Sequence, residues 1–499
     1  MRFWLVALCA VLLVPLFLCD VPPLGDYANH LARVWVLSRL PKEAGWGDPV
    51  LARMYAARWA VIPNLGLDLV MPPLVRWVGI YPAGKIALAA GVLLPVLGSI
   101  AYQRALGGRC WGLGAGILAY GGSMLLGFLN FQISIGLALL LAAVWLMWRE
   151  KRPWPTVVMA IVGAVALFAC HLMGLVFFGL LIGAAELARP HPFRMPDVVR
   201  RGAVLALVFA MPVGLYAASN LAGLGGDGAW WGLWGKLRQL RTPFIAYNGW
   251  LDALSGVATY GIPLVAVLLR RGRFPAPAAW AIGLLVLAYL PAPYAWKGTF
   301  QLDARLTTML AFMMFAGFVP MRWGRVRRIC ASVVVGGLFL ARMAVLGFGW
   351  HAQAAVLADL RQAMAPLQPG ETVMVADARP EEAPTYWAAD PHWQRLSDGI
   401  TLGANLGALV LIEHRAWWPF EFDNASQQPI RTLQPYQDLA LRAQALPDRT
   451  RLLTMDLCGF DAVLLTDAEA VPPLPDDRFR WLAGTGFAEL YAVTVCKPD

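Results

Sequence analysis

Long apolar runs fill the first 350 residues of this chain. A helix needs roughly 17–25 apolar residues to cross about 30 Å of hydrocarbon. Runs of that kind fall near residues 3–19, 84–103, 111–129, 131–148, 154–170, 172–188, 202–219, 254–269, 276–290, 306–321 and 330–347. The sequence therefore predicts a polytopic α-helical membrane protein of about 11 transmembrane helices. Composition agrees, since 59% of the 499 residues are hydrophobic and 14% are charged, against about 25% charged in a soluble chain. A soluble multidomain protein, a disordered chain and a disulfide-rich secreted module are all excluded. The stretch 61–80 is apolar but carries three prolines, Asn64 and Asp68. It reads as re-entrant or interfacial, with a further span as the alternative.

The net charge of +10 resolves into two parts. Residues 1–350 hold 30 basic and 11 acidic side chains, whereas 351–499 hold 11 and 20. The change near Trp350 marks a boundary between a multi-span body, 1–350, and an acidic tail, 351–499. Basic residues of the body gather in short loops: Arg104/Arg109, Arg149/Lys151/Arg152, Arg189/Arg194/Arg200/Arg201, Arg270/Arg271/Arg273 and Arg322/Arg325/Arg327/Arg328. In the eleven-span frame these loops share one side, which the positive-inside rule makes cytoplasmic. The amino terminus is then cytoplasmic, and the long loop 20–83 and the tail are extracytoplasmic. Because the positive charge marks orientation rather than one patch, nucleic acid is not an expected partner. No A-x-A-like cleavage site follows the first run, so it reads as a retained span. In the tail, an amphipathic helix over 351–367 precedes short apolar strands at TVMVAD, ALVLIE, DAVLLTD and ELYAVTV, the pattern of a small α/β domain.

The cysteines show no zinc-type spacing. Cys458 and Cys496 are the only pair in the tail; a disulfide and two free thiols both fit the sequence. Neither a Walker A loop nor a G-x-S-x-G elbow is present. The chemistry must come from polar residues on the predicted outer side. Asp26, His30 and Arg33 recur at i, i+4 and i+7, which places them on one stripe of a helix. Tyr27, Leu31, Val34 and Trp35 would form the opposite face, suited to lying on the membrane. Asp26 fits a helix cap and a catalytic carboxylate equally, and Arg33 fits a contact to lipid phosphate. His171 ends the fifth run, Asn130 and Gln132 sit in the turn GFLNFQ, and Lys297, Asp303 and Arg305 precede the tenth. Asp303 and Arg305 fit helix anchors, and Arg305 fits a phosphate clamp through its planar fork. The Trp- and His-rich stretch 386–424 reads as an acceptor-binding lip or as packing.

One span, an outer loop with an acid at the start of a helix, many further spans and an external α/β tail together resemble the GT-C integral-membrane glycosyltransferases. In many bacterial members that loop opens on two acidic residues and closes on Ala-Arg. Asp26 and Ala32-Arg33 match, while Tyr27 stands where the second acid would be. The resemblance implies a polyprenyl-phosphate sugar donor, membrane lipid as surroundings, a glycan, lipid or protein acceptor, and inverting transfer in the cell membrane. It makes Asp26 the base. His30, Arg33, Asn130, His171, Lys297, Asp303 and Arg305 are the expected substrate-binding residues. A divalent metal stays an open alternative, as does a lipid or polysaccharide transporter or flippase without transfer activity.

Overall fold

The structure is a computed structural model that describes residues 2–40, 47–189, 194–226, 228–230, 232–378, 392–484 and 486–497. Among these, six helices are long and apolar enough to cross a membrane: Ile80–Ala105, Leu129–Trp148, Pro153–Cys170, Met195–Ala217, Gly249–Leu268 and Arg325–Met364. Shorter apolar helices lie at Arg2–Leu13, Leu172–Leu187 and Ala276–Tyr289. The chain is thus a mainly helical, multi-pass membrane protein.

Length alone does not reproduce eleven spans. The predicted run 306–321 falls on Leu302–Ala316, whose 15 residues rise only about 22 Å. The run 111–129 is not one helix but a 3₁₀ segment, Trp111–Leu118, and a single turn, Gly122–Leu125. Close packing explains the break. A Cβ on Gly121 would lie 1.9 Å from the carbonyl oxygen of Pro243, and one on Gly122 would lie 2.5 Å from that of Thr242. The glycines that admit this backbone are also poor helix formers.

The chain divides into two compact units, Met1–Pro15, Ala60–Leu67 and Ile86–Gly347 forming the first. The second is Leu16–Trp59, Asp68–Lys85 and Phe348–Asp499, so it contains much of the loop 20–83 as well as the tail. In the first unit, small residues let helices approach closely, as expected where hydrocarbon surrounds them. A Cβ on Gly136 would stand 2.3 Å from the backbone of Leu94. Among the charges buried there, Arg342 and Glu186 are paired. Arg342 meets Asp252 at 2.7 Å, and Glu186 accepts from Trp145 at 3.1 Å and pairs with Arg189 at 3.1 Å.

The second unit carries a four-stranded sheet. Val373–Asp377 runs parallel to Ala462–Thr466, and Ala488–Val493 runs antiparallel both to the latter and to Phe479–Ala483. Of the predicted strands, ALVLIE is instead the helix Leu409–His414. A short apolar run does not distinguish the two states, and Leu, Glu and Ala favour helix where the β-branched TVMVAD favours strand. The predicted helix 351–367 is not separate but continues Arg325–Met364 over 40 residues. Trp417 and Trp418 are fully buried, so that part of the Trp-rich stretch packs into the core; residues 386–391 lie outside the described residues. A second, two-stranded sheet pairs Tyr55–Ala57 with Ile430–Thr432.

Cys458 and Cys496 are disulfide-bonded across 38 residues. Closing a loop of that size removes unfolded-chain entropy worth about 4 kcal/mol. Replacing both by Ser is expected to lower the stability of this unit by up to that amount, read as an earlier cleavage of the tail by protease at rising urea.

Candidate functional site

Asp26 stands at the N-cap of the Tyr27–Arg39 helix, yet its side chain makes no capping hydrogen bond. Its carboxylate acts electrostatically on Arg33 instead. The expected amphipathic face is absent. Nearly every residue from Tyr27 to Ser38 is buried, those of the apolar face and Arg33 alike. Gly84 shows how tight this packing is, because a Cβ there would lie 2.3 Å from the Tyr27 hydroxyl oxygen.

Arg33 is not at a lipid surface. It is 1% exposed and forms a two-point pair with Asp68, Nε to Oδ1 at 2.7 Å and Nη2 to Oδ2 at 3.2 Å. Burial alone would ease the proton off the guanidinium, but Asp68, then Glu421 and Asp26, hold it on. His30 is driven the other way. Burial, and then the charge of Arg33, push its pKa well below the ordinary histidine range, so it is neutral at pH 7. Its ring meets that of Phe422 edge-on.

The stretch 420–423 is fastened to this helix by Asn29. The Asn29 amide donates to the Phe420 carbonyl at 2.8 Å and to Asn405 Oδ1 at 3.2 Å, and its oxygen accepts from Phe422 N–H at 3.1 Å. Asn405 in turn donates to the Gly25 carbonyl at 2.9 Å, just before Asp26. Asn29 thus fixes the backbone on both sides of Glu421, which lies within electrostatic reach of Arg33.

In the first unit, three of the expected residues converge on one pair of rings. The Arg305 guanidinium lies 4.7 Å from the centre of Phe128 and 5.9 Å from that of Phe131, and His171 sits 5.5 Å from Phe131. Asn130 adjoins Phe131 but is occupied. Its amide donates to Asn64 and its oxygen accepts from Leu67 N–H at 3.0 Å, which ties down the turn 64–67. Two others are committed to the fold. Lys297 donates to the carbonyls of Leu221 and Ala222, and Asp303 pairs with Lys236 at 3.3 Å.

Among the described residues, Asp456, Cys458 and Cys496 alone gather three ligand-type atoms closely enough to share an ion, and both sulfurs belong to the disulfide. The side chains described around Asp26 do not gather in that way. Asp68, Asn29 and Glu421 are the neighbours of the candidate residues that sequence reasoning missed. Asp68 left a signal, a charge inside an apolar run; Glu421 left none, because its neighbour Arg33 is nearly four hundred residues away.

No protein-family model matches the chain, and no curated protein matches it by sequence. Among solved structures it is similar to ArnT from Cupriavidus metallidurans, crystallised bound to undecaprenyl phosphate. The match covers 100% of this chain and 99% of that one, with a TM-score of 0.55 and 12% identity. Over its whole length the chain is similar in fold to ArnT, and the resemblance to GT-C glycosyltransferases read from its sequence holds at the level of the fold.

Proposed function

We propose that this chain is a membrane glycosyltransferase that moves a sugar from a polyprenyl-phosphate donor to a hydroxyl-bearing lipid, glycan or protein outside the cytoplasm. The observation that carries the reading is the end-to-end fold match to a protein crystallised with undecaprenyl phosphate. Asp26 takes the proton of the acceptor O–H as the acceptor oxygen bonds to the anomeric carbon from the face opposite the leaving group. The bond from that carbon to the phosphate oxygen breaks, and the lipid phosphate departs with the electron pair. The anomeric centre is inverted. The basic loops orient the chain with its amino terminus in the cytoplasm and 351–499 outside, in the cell membrane.

A departing phosphate needs fixed positive charge. Arg305 is the residue we assign to it, because its guanidinium lies against Phe128 and Phe131, the ring that His171 also meets, and its planar geometry suits a phosphate. Arg33 spends most of its fork on Asp68, and Lys297 binds carbonyls. Arg305→Ala is expected to weaken undecaprenyl phosphate binding about 10- to 100-fold, measured by tryptophan quenching in nanodiscs, with Arg305→Lys between the two.

The decisive experiment supplies the purified chain with a panel of undecaprenyl-phosphate sugars carrying a radiolabel. Labelled product appearing together with free undecaprenyl phosphate is the expected result. Movement of the intact lipid-linked sugar across a bilayer, with no product from any donor, would replace this reading by transport. Glu186 and Arg342, two ionisable residues within predicted spans, are both paired, which favours a structural role for them over a relay.

A further inference from the structure

The Tyr27–Arg39 helix and the stretch 420–423 enclose more hydrogen-bonding capacity than the fold uses. Arg33 gives Nε and Nη2 to Asp68, and its Nη1 has no hydrogen-bond partner among the described residues. Glu421 is 7% exposed; the Phe422 N–H bears on its carboxyl group but is directed to Asn29 Oδ1 at 3.1 Å, so neither carboxyl oxygen has a hydrogen bond of good geometry among the described residues. The Nδ1 of His30 and the hydroxyl of Tyr55 are buried and unpartnered as well. Electrostatics ties these groups into one neighbourhood: Glu421 acts on Arg33 and on Tyr55, and Arg33 acts on His30. A buried polar group left unpaired costs about 1–3 kcal/mol. Several such groups together mark a place where a ligand supplies the missing partners.

Their chemistry selects the ligand. The charge of Arg33 is already matched by Asp68. Burial first, and then Asp423 and Asp68, raise the pKa of Glu421 well above the carboxylate range against the pull of Arg33. A carboxyl group accepts, and donates when it carries its proton; a neutral imidazole and a phenol do both, while Nη1 donates. An anion would meet only one uncommitted cationic nitrogen beside an acid. A cation would find no three ligand atoms gathered to share it. Hydroxyl groups, which donate and accept, match every open position.

We propose that Glu421, with Arg33 Nη1, His30 Nδ1 and the Tyr55 hydroxyl, forms a socket for the hydroxyls of a neutral glycosyl group, Glu421 being a specificity-determining residue. The proposal rests on the glycosyltransferase reading for the class of ligand. Asn29 holds the socket together, since it fixes the backbone on both sides of Glu421.

The test uses the full chain in nanodiscs and a panel of neutral methyl glycosides at up to about 100 mM, a concentration suited to millimolar affinity. At least one glycoside is expected to quench tryptophan fluorescence saturably in the wild type. Glu421→Ala should weaken that binding about tenfold or more, the loss of one hydrogen bond or two. Glu421→Gln, which keeps a donor and an acceptor in the same shape, should stay within about threefold of the wild type and guards against a variant that fails to fold. In transfer assays Glu421→Ala should raise KM for the glycosyl substrate more than it lowers kcat. Undecaprenyl phosphate binding should not change. Infrared difference spectra at pH 7 should show a protonated-carboxyl stretch that Glu421→Gln removes. Binding of no glycoside by the wild type, or equal binding by wild type and Glu421→Ala, overturns the socket. Glycoside binding without transfer from any donor retains the socket and ends the transferase reading. Transfer indifferent to Glu421→Ala does the reverse.

Discussion

Asp26→Asn is expected to lower transfer by about 10²- to 10⁴-fold, the range that a positioned proton acceptor contributes. The substitution keeps shape and hydrogen-bonding capacity and removes only basicity. It should be nearly silent in stability. Asp26 makes no capping bond in the structure, and Asn is as good an N-cap as Asp, so the unfolding midpoint should move by less than about 1 kcal/mol would shift it. Affinity for undecaprenyl phosphate should hold as well. The pattern to look for is lost kcat with retained fold and lipid binding, measured as initial rates of labelled product beside quenching titrations. Full-rate transfer by the Asn variant would remove Asp26 from the mechanism and return it to the role of a helix-start acid near Arg33.

The second large effect concerns stability. Arg33 and Asp68 are both essentially inaccessible, at 1% and 0% of their side chains. Removing one partner strands the other in a place water does not reach, which costs about 3–5 kcal/mol. Asp68→Ala is therefore expected to destabilise the second unit by that amount, seen as a lower urea midpoint for protection of residues 348–499 from protease. The double substitution Arg33→Met with Asp68→Leu should restore much of the loss, because two apolar side chains need no counter-charge. A single Asp68→Ala that unfolds at the wild-type midpoint would show that water or another acid compensates Arg33. The double variant also separates roles: if Arg33 Nη1 serves a ligand, stability returns and binding does not.

How far these residues could be read from sequence depends on how local their physics is. Spans announce themselves by composition over twenty neighbours, and most predicted runs lie on helices. The run 111–129 misled because hydropathy does not register the backbone crossing that Gly121 and Gly122 permit. ALVLIE misled for a related reason, since its apolar residues are buried in either state and only Leu409–His414 in context decides between them. Asp26, His30 and Arg33 were legible as one stripe because helical spacing places them there. Their surroundings were not. A periodicity argument expected one face on the membrane, while the second unit covers the helix almost completely. The partners of Lys297 and Asp303 were not legible in sequence because the carbonyls of 221–222 and Lys236 come from a distant stretch of chain. Arg305 and His171 were named separately, and Phe131 is what joins them.

The bonds from Asn29 to Phe420 and from Gly25 to Asn405 span 391 and 380 residues. Such separations have a consequence for the making of the protein. At a synthesis rate of about 5–20 residues per second, the helix that bears Asp26 leaves the ribosome roughly 20–80 s before its partners exist. Throughout that interval Asn29 and Arg33 have only what the early chain provides, and Tyr55–Ala57 is an unpaired edge. A nascent chain stopped before residue 405 should be sensitive to proteases at 20–59 and should need a holding chaperone, whereas one released after 432 should not. The order of translation thus delays completion of the acid's setting until the chain has passed residue 432.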